Sequence, residues 1–419
     1  MTPGVFSAVR AGWVLPISGP PLRDGWVTFQ DGEIVAVGQG RPPVEARDLG
    51  NVALLPGLVN AHTHLELTWM AGKVPPADSM DDWIRTLLAV RRAGPAADST
   101  EVTEGVTRAI GEMRATGTSL VGDVSNTLIS APVLVREGMN AAVFHEILGF
   151  NPADPAGLVR DAWHRIAATD EKRRRVSFST KKTPDVFFAV VGHALYSTAP
   201  ALFTEIAARH EGRAPLSVHL AESHEEMEFL HTGGGPIRQM LETLGVWNAA
   251  WTAPACGAVE FLEHIGYLLP GTLLVHGVHL TMEDLDRARA ADAVVVTCPR
   301  SNVWVGGGVP PVSRFYGSGV AVAIGTDSLA SNDSLNMFDE LAALRRLAPE
   351  VDAARLLDSA TRVGAEALGF GQQYGTIAPG RSAELVAVAL PAGIGARAGD
   401  VEEYLVSGVP AAAISRLDA

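Results

Sequence analysis

Between residues 53 and 324 the chain repeats one pattern: an apolar run of strand length, then a stretch with helical spacing. The runs are 53–61, 119–124, 141–148, 187–194, 216–220, 272–275, 293–297 and 320–324. Helical spacing is clearest over 103–115, 201–210, 236–244, 282–290 and 337–347. Parallel strands need a crossover connection, and the crossover helices cover both faces of the sheet, so such strands read as continuous apolar runs. Eight of them, alternating with helices, are what a (β/α)8 barrel requires. The sequence therefore predicts an α/β fold with a barrel over residues 55–370.

The flanks have another texture. Residues 5–55 hold short strand-like pieces broken by Gly and Pro, among them Gly25-Trp-Val-Thr-Phe and Gly32-Glu-Ile-Val-Ala-Val-Gly. The last fifty residues return to it with Gly375-Thr-Ile-Ala-Pro-Gly and Glu384-Leu-Val-Ala-Val-Ala-Leu. Residues 1–54 and 371–419 are expected to form one small β-sandwich domain together.

Several function classes fall away on charge and composition. A net charge of -14 disfavours nucleic acid, whose phosphates need a clustered positive field. No run approaches the roughly 18 apolar residues of a membrane span. The two cysteines, Cys256 and Cys298, lack metal-ligand spacing, and no secretory pattern is present, so a cytoplasmic location is expected. The expected partner is a small-molecule substrate, and a homo-oligomer is compatible with the composition.

Catalytic groups of a barrel project from the C-terminal ends of its strands, so the residues that follow each apolar run carry the information. The first run leads into Pro56-Gly-Leu-Val-Asn-Ala-His62-Thr-His64, and strand periodicity turns both imidazoles to the same side. The fifth ends in Val218-His219-Leu-Ala-Glu222, the sixth in Val275-His276-Gly-Val-His279, and the eighth in Gly325-Thr-Asp327-Ser328. A lone His-x-His is weak. Five histidines and a carboxylate at the ends of strands one, five, six and eight point to a metal centre.

Taken together these motifs resemble the amidohydrolase superfamily, in its cytosine-deaminase and chlorohydrolase-like branch, over nearly the whole chain. The resemblance implies that His62, His64, His219 and Asp327 hold one divalent metal, a donor set that suits Zn2+ and that Fe2+ also accepts. It implies that metal-activated hydroxide attacks the substrate. Glu222 would move the water proton to a ring nitrogen, His276 would orient the hydroxide, and Asp327 would pass a proton to the departing amine. Binuclear members add a carboxylated lysine at a strand end; Lys73, Lys172, Lys181 and Lys182 stand at none, so a single metal is expected.

The same ligand set can release ammonia or chloride. His64-Leu-Glu66-Leu and Gly192-His193-Ala-Leu-Tyr196 resemble members that deaminate adenine nucleosides, most closely the aminodeoxyfutalosine deaminases. Substrate contacts are accordingly expected from Glu66, His193, Trp83 and Ser328, with Arg85, Arg91 and Arg300 as unranked partners for an anionic end. Deamination of methylthioadenosine, adenosylhomocysteine or guanine, triazine dechlorination, and a non-catalytic binding protein on the same barrel are the alternatives. The acids of Glu222-Ser-His-Glu-Glu-Met-Glu that follow Glu222 read as solvated helix positions.

Overall fold

The computed structural model describes residues 7–174, 184–211 and 214–417. Fifteen strands are present among them: β1 (Ser7–Val14), β2 (Leu22–Gln30), β3 (Glu33–Gln39), β4 (Arg47–Asp48), β5 (Val52–Pro56), β6 (Leu58–Thr63), β7 (Thr118–Ser125), β8 (Asn140–Ile147), β9 (Val186–Gly192), β10 (Ser217–Leu220), β11 (Leu273–His276), β12 (Val294–Thr297), β13 (Ala321–Ile324), β14 (Leu385–Ala389) and β15 (Ile414–Leu417). The described residues fall into two compact units. One lies within Met1–Ala61, Gly111–Leu120 and Asn336–Ala419; the other lies within His62–Ile110 and Val121–Leu335.

In the first unit both chain ends hydrogen-bond into one seven-stranded sheet, ordered β15-β14-β5-β1-β2-β3, with β4 pairing β1. Its turns follow from local chemistry. Asp31 and Gly32 join β2 to β3 with φ of 52° and 79°, the paired positive values that a two-residue hairpin of right-handed twist demands. Val9, Val14, Val27, Ile34, Leu54 and Leu385 form the apolar core on this sheet.

The remaining eight strands form two parallel sheets of four, β6-β7-β8-β9 and β10-β11-β12-β13. They coincide with the eight expected runs within a few residues. The first run is the exception: 53–61 is two strands. Gly57 separates β5, which pairs with β14, from β6, which opens a parallel sheet. An apolar run cannot reveal that its two halves belong to different sheets.

Backbone contacts link the strand ends between the two sheets. The His219 N–H donates to the His193 carbonyl at 2.9 Å beside an Ala194–His219 bridge, and the Asp327 N–H donates to the His62 carbonyl at 3.0 Å. Gly325 permits the second contact, because a Cβ there would lie 2.7 Å from His62 Cβ and 2.8 Å from its carbonyl oxygen. The helices predicted at 282–290 and 337–347 are found as Met282–Ala290 and Met337–Leu347. The first has a reciprocal cap: Thr281 Oγ1 accepts from the Asp284 N–H at 3.1 Å, and Asp284 Oδ2 accepts from the Thr281 N–H at 3.0 Å. Among the described residues no helix is long and apolar enough to cross a membrane.

Candidate metal centre and active site

The C-terminal ends of β6, β10, β11 and β13 bring the predicted residues together. His64 Nε2 lies 3.2 Å from His62 Nε2, 3.3 Å from His219 Nε2 and 3.4 Å from Asp327 Oδ1; His62 Nε2 lies 3.6 Å from the same oxygen. Donors bound to one ion at about 2.1 Å with tetrahedral angles stand about 3.4 Å apart. The observed spacings bracket that value. A single proton on His64 Nε2 can satisfy one of these three acceptors, whereas a cation between them satisfies all four groups.

Protonation agrees with this. Burial holds His64 well below the usual imidazole value and brings His219 down to about 4, so both present neutral nitrogens, the form that binds metal. Burial alone would raise Asp327, but its hydrogen bond with His62 and the proximity of His64 hold it well below the usual carboxylate range. The donors are also oriented. His219 Nδ1 donates to the His193 carbonyl at 3.0 Å with Glu146 Oε1 at 3.4 Å, which turns Nε2 toward the cluster. Asp327 Oδ2 accepts from Ser301 Oγ at 2.6 Å and Ser331 Oγ at 2.7 Å, leaving Oδ1 for the histidines.

Beside the cluster, Glu222 Oε1 lies 3.4 Å from His276 Nε2, and the His276 ring centre is 5.3 Å from that of His219. Both residues are buried. Burial pushes the Glu222 carboxyl well above its ordinary value, with Asp327 and Glu226 adding to the rise; burial likewise keeps His276 neutral. Asn302 Nδ2 meets His276 Nδ1 at 2.9 Å and fixes the ring. The backbone marks the same places: Ala221, His276 and Asp327 adopt φ of 51°, 75° and 59°, left-handed conformations that non-glycine residues rarely take and that gather at functional sites.

One sequence expectation is corrected. Glu226 is not a solvated helix position: it is fully buried. The helix His224–Thr232 starts after Ser223, whose Oγ accepts from the Glu226 N–H, and the Glu226 carboxylate folds back so that Oε2 accepts from the Glu222 N–H at 2.9 Å. Its neighbours His224 and Glu228 are exposed. The signal was available as Ser followed three residues later by Glu, a capping spacing. His279 Nε2 donates to the Gly307 carbonyl at 2.9 Å and takes no place in the cluster.

The expected substrate contacts divide. Glu66 is buried and heavily bonded, accepting from Ser125 Oγ, the Asn126 N–H and Thr127 Oγ1 at 2.9, 2.9 and 2.7 Å. The His193 ring lies tilted against that of His219 with ring centres 4.8 Å apart, and burial and the Arg91 charge bring it down to about 4. Trp83 packs with Met70, Met80, Val305 and Ala330 in an apolar cluster. Ser328 Oγ accepts from the Ala330 N–H at 3.2 Å and meets Ser331 Oγ, so it shapes the loop that carries Asp327. Arg85 pairs with Asp81 at 2.7 Å and Arg300 with Asp333. Lys73 pairs with Glu101, while Lys181 and Lys182 lie outside the described residues.

Comparison with known proteins settles the family. The amidohydrolase family model matches residues 53–414. The chain belongs to the amidohydrolase family. A 5-methylthioadenosine/S-adenosylhomocysteine deaminase of Nitratidesulfovibrio vulgaris (strain Miyazaki F) is 32% identical over 88% of this chain and 80% of the relative. An aminodeoxyfutalosine deaminase of Deinococcus radiodurans is 31% identical over 78% of this chain and 76% of the relative. Among solved structures, an adenosine deaminase from Xanthomonas campestris with bound zinc is similar at 27% identity and a TM-score of 0.77, covering 97% of this chain and 90% of that one. As an amidohydrolase the protein is an enzyme of hydrolysis, and its His/Asp donor group suits a divalent metal.

Proposed function

We propose that this amidohydrolase deaminates an adenine-type nucleoside, with aminodeoxyfutalosine as substrate, and that its chain comprises a (β/α)8 barrel over 55–370 and a sandwich built from both chain ends. The observation that carries the reading is the buried Glu222–His276 pair set against the His62, His64, His219 and Asp327 cluster. Replacing an amino group on an aromatic ring by hydroxyl needs a proton delivered to the ring nitrogen and a nucleophile at the adjacent carbon. One Zn2+ held by those four residues supplies the Lewis acidity that makes water nucleophilic at neutral pH.

The chain's own residues supply the rest. A carboxyl raised by burial holds its proton at neutral pH, so Glu222 can give it to the ring nitrogen and recover one from water. His276, neutral and fixed by Asn302, hydrogen-bonds the oxygen as charge develops on it. Asp327, its carboxylate ionised, takes the second proton of the attacking water and passes it to the departing amine, which leaves as ammonia. The sugar end of the substrate meets Glu66 and His193, and expulsion of bulk water by the buried walls strengthens each of these contacts. The 32% identical relative favours a second substrate, methylthioadenosine or adenosylhomocysteine.

The test is purified, zinc-loaded protein against aminodeoxyfutalosine, methylthioadenosine, adenosylhomocysteine, adenosine and a chlorotriazine, read by ammonia and chloride release with metal quantified. Ammonia from the nucleosides and one metal per chain are expected. Chloride without ammonia overturns the deaminase reading, and two metals per chain overturn the mononuclear one.

A further inference from the structure

The helix His224–Thr232 begins with a cap displaced by one residue. In the usual reciprocal cap the acid at the third helical position reaches back to the N–H of the capping residue, as Asp284 does to Thr281. Here Ser223 is the capping residue and Glu226 the third-position acid, yet Glu226 Oε2 passes Ser223 and accepts from the Glu222 N–H. Its other oxygen, Oε1, is buried with no hydrogen-bond partner among the described residues. A fully buried carboxyl with one bonded oxygen costs the fold free energy, a cost that a cap with a solvated carboxylate avoids.

The displaced cap bears on the turn that aims Glu222. β10 ends at Leu220, and Ala221 then takes a φ of 51°, a left-handed conformation that persists only when its surroundings hold it. The His279 N–H donates to the Ala221 carbonyl at 2.9 Å, and Glu226 holds the next N–H. Gly307 packs so closely on the Glu222 carbonyl that a Cβ there would fall 2.6 Å from its oxygen. The Glu222 side chain has less to hold it. Its carboxyl is approached by His276 Nε2 at 3.4 Å and takes no hydrogen bond from another side chain among the described residues. Its direction is therefore set by its backbone.

We propose that Glu226 is a positioning residue for the reaction: by accepting the Glu222 N–H it fixes the turn from which the Glu222 carboxyl reaches the substrate. This rests on the deaminase reading above, in which Glu222 moves the proton. Among the described residues Glu226 makes no hydrogen bond or ion pair with His62, His64, His219 or Asp327, so it acts through Glu222. Loss of the bond lets the carboxyl swing away from the ring nitrogen. The chemical step then slows while substrate binding, which other residues provide, is kept.

The test measures kcat, KM, metal content and thermal unfolding at neutral pH for Glu226→Gln, Glu226→Asp and Glu226→Met, each alone and combined with Glu222→Gln, on adenosine and methylthioadenosine. Glu226→Asp draws the acceptor back by one carbon–carbon bond, about 1.5 Å, and Glu226→Met removes it. In both, kcat is expected to fall about 10- to 100-fold, the effect of misplacing a reacting group by about 1 Å, with KM within about threefold of the wild type. Glu226→Gln keeps the acceptor and is expected to recover kcat to within about threefold. In the Glu222→Gln background the same substitutions should change kcat by less than about threefold, because a group that acts through Glu222 has nothing left to position. A fall that persists in full in that background, a kcat unchanged in Glu226→Asp and Glu226→Met, or an equal fall in Glu226→Gln overturns the assignment. If the wild type deaminates neither nucleoside, it is the deaminase reading that fails, and crystal structures of the same variants decide the positioning. A Glu222 carboxyl displaced from His276 in Glu226→Asp and in place in Glu226→Gln upholds it, and any other pattern overturns it.

Discussion

Glu226→Gln isolates a group that the fold buries at a cost. In the folded protein burial raises the Glu226 carboxyl from 4.5 to about 7, partly offset by the N–H groups of Glu222 and Ala221. The folded state therefore binds this proton more tightly than the unfolded chain does. Its contribution to stability is complete below pH 4.5, falls as pH rises toward 7, and is constant beyond. A shift of that size is worth about 3 kcal/mol, a factor of roughly 100 in the folding equilibrium. Glutamine has the shape of the protonated acid and keeps an acceptor for the Glu222 N–H, yet never ionises. Glu226→Gln should match the wild type near pH 4.5 and exceed it by up to about 3 kcal/mol at pH 8. Denaturant titrations of both proteins across that range, at equal metal loading, give the difference at each pH. A stability difference that stays flat with pH, or that shrinks as pH rises, refutes the buried, proton-holding assignment of Glu226.

Other substitutions probe the centre itself. Glu222→Gln keeps the shape and removes the proton donor, so it should retain its metal and lose about 10²- to 10⁴-fold in kcat; a rate within threefold of wild type removes Glu222 from proton transfer. Ser301→Ala deletes the 2.6 Å hydrogen bond to Asp327 Oδ2 and should weaken metal affinity about 10-fold, read by competition with a chromogenic chelator. Gly325→Ala forces a Cβ against His62 and should lower stability by about 1–3 kcal/mol with loss of bound metal, measured by thermal unfolding with metal analysis.

The sequence makes the eight parallel strands legible because each is buried on both faces and bounded by turn residues. It also shows His62, His64, His219, Glu222, His276 and Asp327, because each ends or follows such a strand. What it hides is what holds them. Glu146 lies between His145 and a strand end, and only three dimensions bring its Oε1 to His219 Nδ1. Ser301 and Asn302 follow Cys298-Pro-Arg in a short helix, Pro299–Trp304, where small polar residues are ordinary. Their partners lie 26 positions away, Asp327 just after β13 and His276 at the end of β11. The division of 53–61 into strands of two sheets is hidden for a related reason: apolar periodicity reports burial, not which neighbour does the burying.

The turn after β12 couples two functions that the residues alone would keep apart. From adjacent positions of one helical turn, Ser301 orients Asp327 toward the metal-binding histidines while Asn302 orients His276 toward Glu222. Asp327 and His276 each stand in a left-handed backbone conformation, so neither side chain is aimed by regular strand geometry. Each has a side-chain partner that fixes its direction, and both partners come from the same short helix, Pro299–Trp304. A displacement of that segment would misplace a metal-binding carboxylate and a proton-transfer histidine by the same movement. The strand ends thus provide the chemistry, and the loop of a neighbouring strand keeps the metal centre and the acid–base pair in register, which is the condition for a nucleophile and a proton donor to reach one substrate together.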